Sequence, residues 1–311
     1  MKRFSAFNAA FSIFDFMKLN SGFVLKYIVL YALFIVVAFS CIWSIGYFDF
    51  FGIIMNITAD EAATNQAIND WSAKTSPALI LIMFASVGLW VIYASAVWRK
   101  MLRGEEIGFH GLTWGKDENR LAFAYLIYYG LNMGASLVFV FAILFGAAII
   151  GGLALIAPSV AAIIGAILVI FAMFASVWFY IRISQFGVLT IATRKMATID
   201  SFKETRGHFW SFFGAHFIQG FLVSLVFMIF FALLIWSEFG QYFETNQLPT
   251  EFPPIDKTKL FLFLGGFALF GGFASIAHLC VGAYAYKIMH DGEEMPSEPE
   301  PLPHVWPTLG E

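Results

Sequence analysis

The sequence predicts an all-α integral membrane protein, a bundle of six transmembrane helices with amphipathic helices at its cytoplasmic surface. Of its 311 residues, 60% are hydrophobic and only 13% are charged, about half the charged fraction of a soluble domain. The apolar residues are concentrated in six runs, and each run is long enough for a helix that crosses a bilayer. The runs are continuous, whereas the strands of a transmembrane β-barrel show alternating polarity over about ten residues. The sequence therefore favours helices.

Residues 1–22 are expected to form an amphipathic leader in the plane of the membrane surface. Phenylalanine and lysine recur there at three- to four-residue spacing, at Phe7, Phe11, Phe14 and Lys18. This spacing places one apolar stripe along a helix. The Asn-Ser-Gly sequence at 20–22 follows, and it predicts a turn into the first span.

The six-helix transmembrane domain is predicted over residues 23–290. Its spans are expected at 23–47, 77–98, 121–149, 158–182, 209–236 and 259–286. Pro77 and Pro158 begin the second and fourth spans, where the missing N–H of proline costs nothing. The last span contains Gly265-Gly266 and Gly271-Gly272, which predict close helix packing, with a broken helix as the alternative.

The fourth span is expected to continue as a helix beyond Arg182, because apolar residues keep helical spacing up to Thr193. A break is predicted near Ala197, and Thr198 or Asp200 is expected to cap a second short amphipathic helix. Near the C-terminus, residues 291–311 are rich in proline and glutamate and cannot bury a core. We expect this acidic tail to be disordered and cytoplasmic.

Lysine and arginine are distributed unevenly between the two sides of the spans. All 18 except Lys74, Lys257 and Lys259 fall on the side of the N-terminus. Cytoplasmic loops carry such an excess, so both termini are expected in the cytoplasm. Several of these basic residues are predicted to anchor the topology and to meet lipid headgroups: Arg99, Lys100, Arg103, Arg194, Lys195, Lys203 and Arg206.

Four polar residues lie inside predicted spans, where polar groups need partners and are often functional: Asn132, His216, Gln219 and His278. His216 and Gln219 are three residues apart and share a helix face. His216 and His278 lie about two turns from the cytoplasmic ends of oppositely running helices, so their depths match. They are expected to form either a proton-sensitive polar pocket or hydrogen bonds that fix the helix packing. Two histidines without a thiolate or carboxylate do not complete a metal site.

The sequence contains no recognisable catalytic or cofactor-binding motif, so no catalytic residue, cofactor or metal is predicted. The acidic pairs Glu105-Glu106 and Asp117-Glu118 lie in one cytoplasmic loop. They are candidates for binding a cation or a phosphoryl acceptor, and the alternative is a solvated charged loop. No basic block indicates a nucleic-acid partner.

Two loop sequences carry a resemblance to a known group of proteins. TIDSFKETRGHFWSFFGAHF, at 198–217, and WRKMLRGEEIGFHGLTWGKDENRLAF, at 98–123, are similar to loops of bacterial six-helix inner-membrane proteins. That group includes the membrane domain of glycerophosphodiester phosphodiesterases. The resemblance implies a six-helix fold in the bacterial inner membrane. It does not imply hydrolysis, because those enzymes carry their catalysis in a soluble domain that these 311 residues do not contain.

The function expected from the sequence is that of a non-enzymatic multi-pass membrane protein. It would serve as an accessory or scaffold subunit, or handle a lipid or small solute. The alternative is a secondary transporter or channel with a polar pocket in the membrane, and a third reading is an integral-membrane enzyme of lipid metabolism. Membrane lipids are the expected partners, with a protein partner or a second copy of the chain left open.

Overall fold

A computed structural model describes residues 3–47, 61–105, 113–155, 157–245 and 257–291. Secondary structure within these ranges is entirely helical. The helices are α1 (Ala6–Ser44), α2 (Glu61–Arg103), α3 (Lys116–Ala154), α4 (Pro158–Ile183), α5 (Phe186–Thr193), α6 (Asp200–Glu204), α7 (Phe209–Thr245) and α8 (Lys257–Met289). The predicted tail lies outside the described residues.

Six helical stretches of the described chain are long and apolar enough to cross a membrane, with α4 and α5 forming one of them. They coincide with the six predicted spans, so the all-α membrane fold is confirmed. Pro158 is at the start of α4 as predicted. Pro77, in contrast, lies inside α2, which begins at Glu61. Proline removes one backbone hydrogen bond from a helix interior, and here the helix continues on both sides of it.

The leader and the first span are two helical segments joined across a kink, and we describe them together as α1. Asn20 has non-helical backbone angles, φ −138° and ψ 37°. Its side-chain amide donates a hydrogen bond to the Phe16 carbonyl at 3.1 Å. The helix is therefore interrupted at Asn20, within the predicted 20–22 turn.

The leader packs with a different stripe from the one that its phenylalanines suggested. Phe7 and Phe14 are exposed, and Ala9, Ile13 and Phe16 are buried. The buried stripe belongs to the face with which α1 packs against α7 and α8. The buried stripe contains the aromatic Phe16 as well as Ala9 and Ile13, so the contacts with α7 and α8 decide which face is buried, and the spacing of the phenylalanines does not.

The connection between the fourth and fifth spans differs from its prediction. A turn at Ser184 and Gln185 separates α4 from the short helix α5, whose residues from Phe186 to Ala192 are all buried. The helix ends at Arg194, which has a left-handed φ of 54°. A two-residue turn inside an apolar stretch leaves the apolar pattern intact, so hydropathy could not show it.

The short helix α6 begins without the predicted cap. Its N-cap residue is Ile199 and makes no side-chain capping bond, so neither Thr198 nor Asp200 has that role. The Thr198 hydroxyl instead donates to the Ala124 carbonyl of α3 at 3.3 Å. Tertiary contacts therefore take the hydroxyl that the local pattern assigned to a cap.

The packed core lies at one end of the bundle, where α2 finishes and α3 begins. We call it the basic end, because Arg99, Arg103 and Arg120 lie there with the last turn of α8. Buried residues of the described chain concentrate at this end, among them Val97, Leu121 and Cys280. The halves of α3 and α4 away from it expose large apolar side chains, as a lipid-facing surface requires: Phe141, Phe145, Ile167 and Phe171.

Helices α1 and α8 approach closely at Gly272. A Cβ atom added there would come within 3.0 Å of the Ile28 carbonyl oxygen and 3.1 Å of its Cα. The Gly272 carbonyl also accepts a hydrogen bond from the Tyr93 hydroxyl at 3.1 Å. Because α8 is continuous through both glycine pairs, they serve helix packing and do not break the helix.

Helix α5 is locked into the basic end by a tryptophan of α2. The Trp98 ring occupies the space beside Gly187, where an added Cβ would come within 2.3 Å of the ring. The indole N–H of Trp98 donates to the Leu279 carbonyl of α8 at 3.0 Å. One side chain therefore joins α2, α5 and α8, and only glycine fits at position 187.

An intramembrane cavity with a histidine pair

Two predicted polar residues meet where α7 and α8 lie side by side. The imidazole rings of His216 on α7 and His278 on α8 have centroids 5.0 Å apart. Tyr180 of α4 completes the group, because its hydroxyl lies 3.5 Å from His278 Nε2 and its ring packs edge-on against His216 at 6.1 Å. The matching depths expected from the sequence thus correspond to a contact among three spans.

The polar atoms of this region are incompletely paired. Both ring nitrogens of His216 are buried and have no hydrogen-bond partner among the described residues. The same holds for the side-chain nitrogen of Gln219, one turn further along α7. A buried polar group without a partner costs about 1–3 kcal/mol of folding free energy. The site therefore has hydrogen-bonding capacity that the surrounding protein does not use.

A cavity of about 390 Å³ ends at His278. Its walls come from α1, α2, α7 and α8, and they are mainly aromatic and small: Tyr31, Trp90, Phe227, Phe267, Gly271 and Ala274. Within α8 the lining runs from Phe267 towards the basic end and finishes at His278. Pockets for small molecules typically measure about 300–1,000 Å³ and combine apolar walls with a few polar groups, which is the composition found here.

Trp90 lines the cavity and is held from behind by Tyr125 of α3. The Trp90 indole N–H donates to the Tyr125 hydroxyl at 2.5 Å. Tyr125 packs edge-on against Phe186 at the start of α5, with ring centroids 4.8 Å apart. Aromatic residues of α2, α3 and α5 therefore hold this side of the cavity in place.

The other two predicted pocket residues occupy different surroundings. The Asn132 amide donates to the Tyr128 carbonyl of its own helix at 2.9 Å, and no described contact joins it to either histidine. Gln219 is buried on the same helix as His216, again with no described contact to the ring of His278. The structure thus brings together two of the four candidates, and it adds Tyr180 and Trp90.

The acidic loop is committed to ion pairs. Glu118 is only 1% exposed and lies 3.0 Å from the Arg99 guanidinium. Its two carboxylate oxygens also accept hydrogen bonds from the Ser95 hydroxyl at 2.7 Å and the Gly115 N–H at 2.9 Å. For Glu118 the solvated-loop interpretation is therefore wrong, because folding inserts this residue between α2 and α3. With all of these partners, it has little capacity left for a cation.

Arg103 is the centre of a second group of ion pairs. Its guanidinium contacts Asp117 at 2.7 Å and Glu105 at 3.0 Å, and it donates to the Ile191 carbonyl of α5. Asp117 in turn contacts Arg120 at 3.0 Å. Arg99 and Arg103, which the sequence assigned to lipid headgroups, thus bind carboxylates inside the protein. Glu106 lies outside the described residues.

The remaining predicted headgroup residues are on the surface or in other contacts. Lys203 is exposed and lies 3.5 Å from Asp200, while Lys195 and Arg206 are exposed. Lys100 and Arg194 each have further interactions within the protein. Among the described residues no group of three histidine, cysteine, aspartate or glutamate side chains is arranged to hold a metal ion.

One titratable residue at the basic end, outside the spans, has a shifted pKa. Burial lowers the pKa of His208 below its usual 6.5, and the nearby Glu204 carboxylate opposes that shift. The His208 ring stacks on Phe4 with centroids 6.1 Å apart. Glu204 itself contacts His290 at the end of α8, at 2.5 Å. These contacts join the start of the chain to α6, α7 and α8.

Comparison with known protein families, curated proteins and solved structures finds no match to this chain. The resemblance to the membrane domain of glycerophosphodiester phosphodiesterases therefore stays a prediction. The multi-pass helical fold and the geometry of the site are the features that indicate a function.

Proposed function

We propose that this protein takes a small amphiphilic molecule from the bilayer and holds it in the intramembrane cavity. The observation that carries the proposal is the end of the cavity at His278, beside a buried imidazole of His216 that has no partner in the described chain. Within the functions expected from the sequence, this corresponds to the handling of a lipid or small solute.

The chemistry of the cavity selects the class of ligand. Its aromatic walls, including Tyr31, Trp90 and Phe227, suit an apolar or ring-shaped body. His278 is the histidine that lines the cavity. In its neutral form its imidazole offers one hydrogen-bond donor and one acceptor, which suits a carbonyl, hydroxyl or ester group of a ligand. No charged residue of the described chain lines the cavity, so an ionised ligand would lose its hydration without gaining a counter-ion there. We therefore propose a neutral polar group on an apolar body.

The exposed halves of α3 and α4 support a route from the membrane. Their outward side chains away from the basic end are lipid-facing. At Gly146 an added Cβ would lie 3.1 Å from Leu168, so the two helices pack against each other there. The described lining of the cavity comes instead from α1, α2, α7 and α8. We propose that a ligand dissolved in the bilayer enters between these lining helices, without first crossing water.

We further propose that the protein lies in a bacterial cytoplasmic membrane with its basic end on the cytoplasmic side. The uneven distribution of lysine and arginine supports this orientation, and the loop resemblance supports the bacterial membrane. Transport is the nearest alternative, because a transporter would use the same pocket and open it to each side in turn. An accessory role and an enzymatic role stay predictions from the sequence.

Cavity filling tests the proposal. Ala274→Leu adds bulk to the lining of the cavity, and Ala142→Leu adds the same bulk to an exposed position of α3. The full chain is extracted gently from its own membrane, and native mass spectrometry records any retained small molecule. We expect wild type and Ala142→Leu to carry the same molecule, and Ala274→Leu to lose it. Equal retention by both variants, or no retained molecule in wild type, would overturn the proposal.

A further inference from the structure

Two arginines at the outer edge of the basic end have no acidic partner in the described chain. Arg182 lies in the last turn of α4, and Arg206 follows α6. The hydroxyl of Thr205, the residue before Arg206, lies 3.2 Å from the Arg182 carbonyl, so the two arginines are neighbours at this end. The acidic residues of α6 are committed elsewhere, Asp200 to Lys203 and Glu204 to His290. Like charges held together without a counter-ion are unfavourable, and an anion would relieve the repulsion.

Hydrogen bonds fix α6 against the end of α4. The Ser201 hydroxyl donates to the Arg182 carbonyl at 2.9 Å, and the Thr205 hydroxyl lies 3.2 Å from the same carbonyl and 2.8 Å from the Ser201 carbonyl. The Gln185 N–H donates to the Ser201 hydroxyl at 3.1 Å. Because Ser201 and Thr205 are fully buried, these bonds are shielded from water. The fold therefore holds α6 across the end of α4, and it keeps Arg206 beside Arg182.

Aromatic rings hold the Arg182 side chain in position. Its guanidinium carbon lies 5.7 Å from the centroid of the Trp178 ring and 5.8 Å from that of Phe202. Arginine between aromatic faces is favourable and loses side-chain freedom before any ligand binds. Its Nε atom is buried without a hydrogen-bond partner in the part of the chain that the structure describes. The two rings therefore hold the Arg182 guanidinium in place at the end of α4.

The surface beneath Arg182 is apolar. Phe171, Phe174 and Trp178 precede it on α4 at spacings of three and four residues, so the four side chains share one helix face. All three aromatic residues are exposed. An exposed aromatic track that ends in two arginines suits a molecule with an apolar chain and an anionic head.

We propose that Arg182 and Arg206 bind the phosphate group of an anionic membrane phospholipid, with an acyl chain along the Phe171–Trp178 face of α4. The planar guanidinium group binds phosphate through two parallel hydrogen bonds, for which lysine is a poorer substitute. This site lies on a different surface from the cavity and does not depend on the function proposed for it. Its occupant is part of the surrounding bilayer, because the aromatic track gives a free anion nothing to contact.

Native mass spectrometry of the full chain in detergent, titrated with dioleoylphosphatidylglycerol, tests the site. Removing a charge-assisted hydrogen bond costs about 1.5–3 kcal/mol, so we expect Arg182→Gln and Arg206→Gln each to weaken binding of the first lipid about tenfold or more. Lys203→Gln is the matched control, because it removes one exposed positive charge from α6. We expect it to change binding less than about twofold. Arg182→Lys should fall between wild type and Arg182→Gln.

Three results would overturn the proposal. One is that Arg206→Gln and Lys203→Gln weaken lipid binding equally, which would indicate that the lipid responds to the general positive charge of the surface and not to a specific site. Another is equally tight binding of dioleoylphosphatidylcholine, which would indicate no preference for an anionic head. The third is inorganic phosphate that competes with the lipid at equal concentration, which would indicate a free-anion site. Arg206 is exposed, so its variant reports on the site even if a change at Arg182 impairs folding.

Discussion

The rings of His216 and His278 lie 5.0 Å apart, and neither nitrogen of His216 has a hydrogen-bond partner in the described chain. Stability alone would favour an apolar residue at position 216, because an unpaired buried imidazole lowers the free energy of unfolding. Polar groups inside a membrane bundle that do not serve packing are commonly functional. This pair is therefore the strongest indication that the cavity beside it binds a ligand.

Replacing His216 by phenylalanine separates stability from function. The ring volume is kept and the unpaired nitrogens are removed, so we expect unchanged stability or a gain of up to about 1–3 kcal/mol. Retention of the bound molecule should fall at the same time. Denaturation in detergent measures the first quantity, and native mass spectrometry measures the second. A clear loss of stability would show that His216 has a structural partner.

Asn132→Ala should leave the bound molecule in place. Its amide bonds to the carbonyl of its own helix, and the structure does not bring it to the histidines. We expect ligand retention equal to that of wild type, and a stability change of about 0.5–1.5 kcal/mol at most. Loss of the ligand in this variant, measured by the same mass spectrometry, would extend the site along α3 and contradict the boundaries given above.

Glu118→Ala should destabilise the fold severely. The change leaves Arg99 partly buried without its carboxylate, and breaking such a pair from one side costs about 3–5 kcal/mol. The matched control is Asp15→Ala, which breaks the exposed pair between Asp15 and Lys18 and should cost less than about 1 kcal/mol. Unfolding in a denaturing detergent, followed by circular dichroism, compares the two. Equal effects would mean that Glu118 is solvated after all.

Gly187→Ala should also destabilise the fold, since its new methyl group would overlap the Trp98 ring. Overpacking of this kind costs about 1–3 kcal/mol. Gly130→Ala is the control, because nothing lies within 4 Å of its added Cβ. Replacing a helical glycine by alanine at such a site stabilises by roughly 0.5–1 kcal/mol. Opposite shifts of the melting temperature are therefore expected, and shifts of the same sign would contradict the close contact.

His208 should make stability depend on pH. Because burial lowers its pKa in the folded protein, the unfolded chain binds the proton more readily. The contribution of His208 to the free energy of unfolding is therefore complete above the usual histidine pKa of about 6.5. It is lost as the pH falls below that value. We expect His208→Phe to flatten the fall in melting temperature between about pH 6.5 and 5.5. An unchanged slope in the variant would assign the pH dependence to other groups.

The fold was predictable from sequence because spans are defined by length and hydropathy, which are local properties. The break between α4 and α5 was not, since Ser184 and Gln185 interrupt a stretch that stays buried on both sides. The predicted caps Thr198 and Asp200 failed for a related reason. Their side chains found a carbonyl on α3 and a lysine on α6, and a local rule cannot include such partners.

The site was predictable only in part. Equal depth on antiparallel helices indicated that His216 and His278 could meet, and that estimate needs only the rise per residue. The contact of Tyr180 with the two histidines was not predictable, because the position of α4 relative to α7 and α8 depends on the tertiary packing. Glu118 looked like a solvated residue because its buried partners, Arg99 and Ser95, come from another helix. Pairing across helices is the information that a single sequence does not contain.

The most direct test is an experimental density map of the protein in a nanodisc made from its own membrane lipids. We predict continuous non-protein density among Tyr31, Trp90 and Phe227, with a polar atom of the ligand about 2.7–3.2 Å from a ring nitrogen of His278. A cavity filled by protein side chains, with both nitrogens of His216 bonded to protein atoms, would contradict the account.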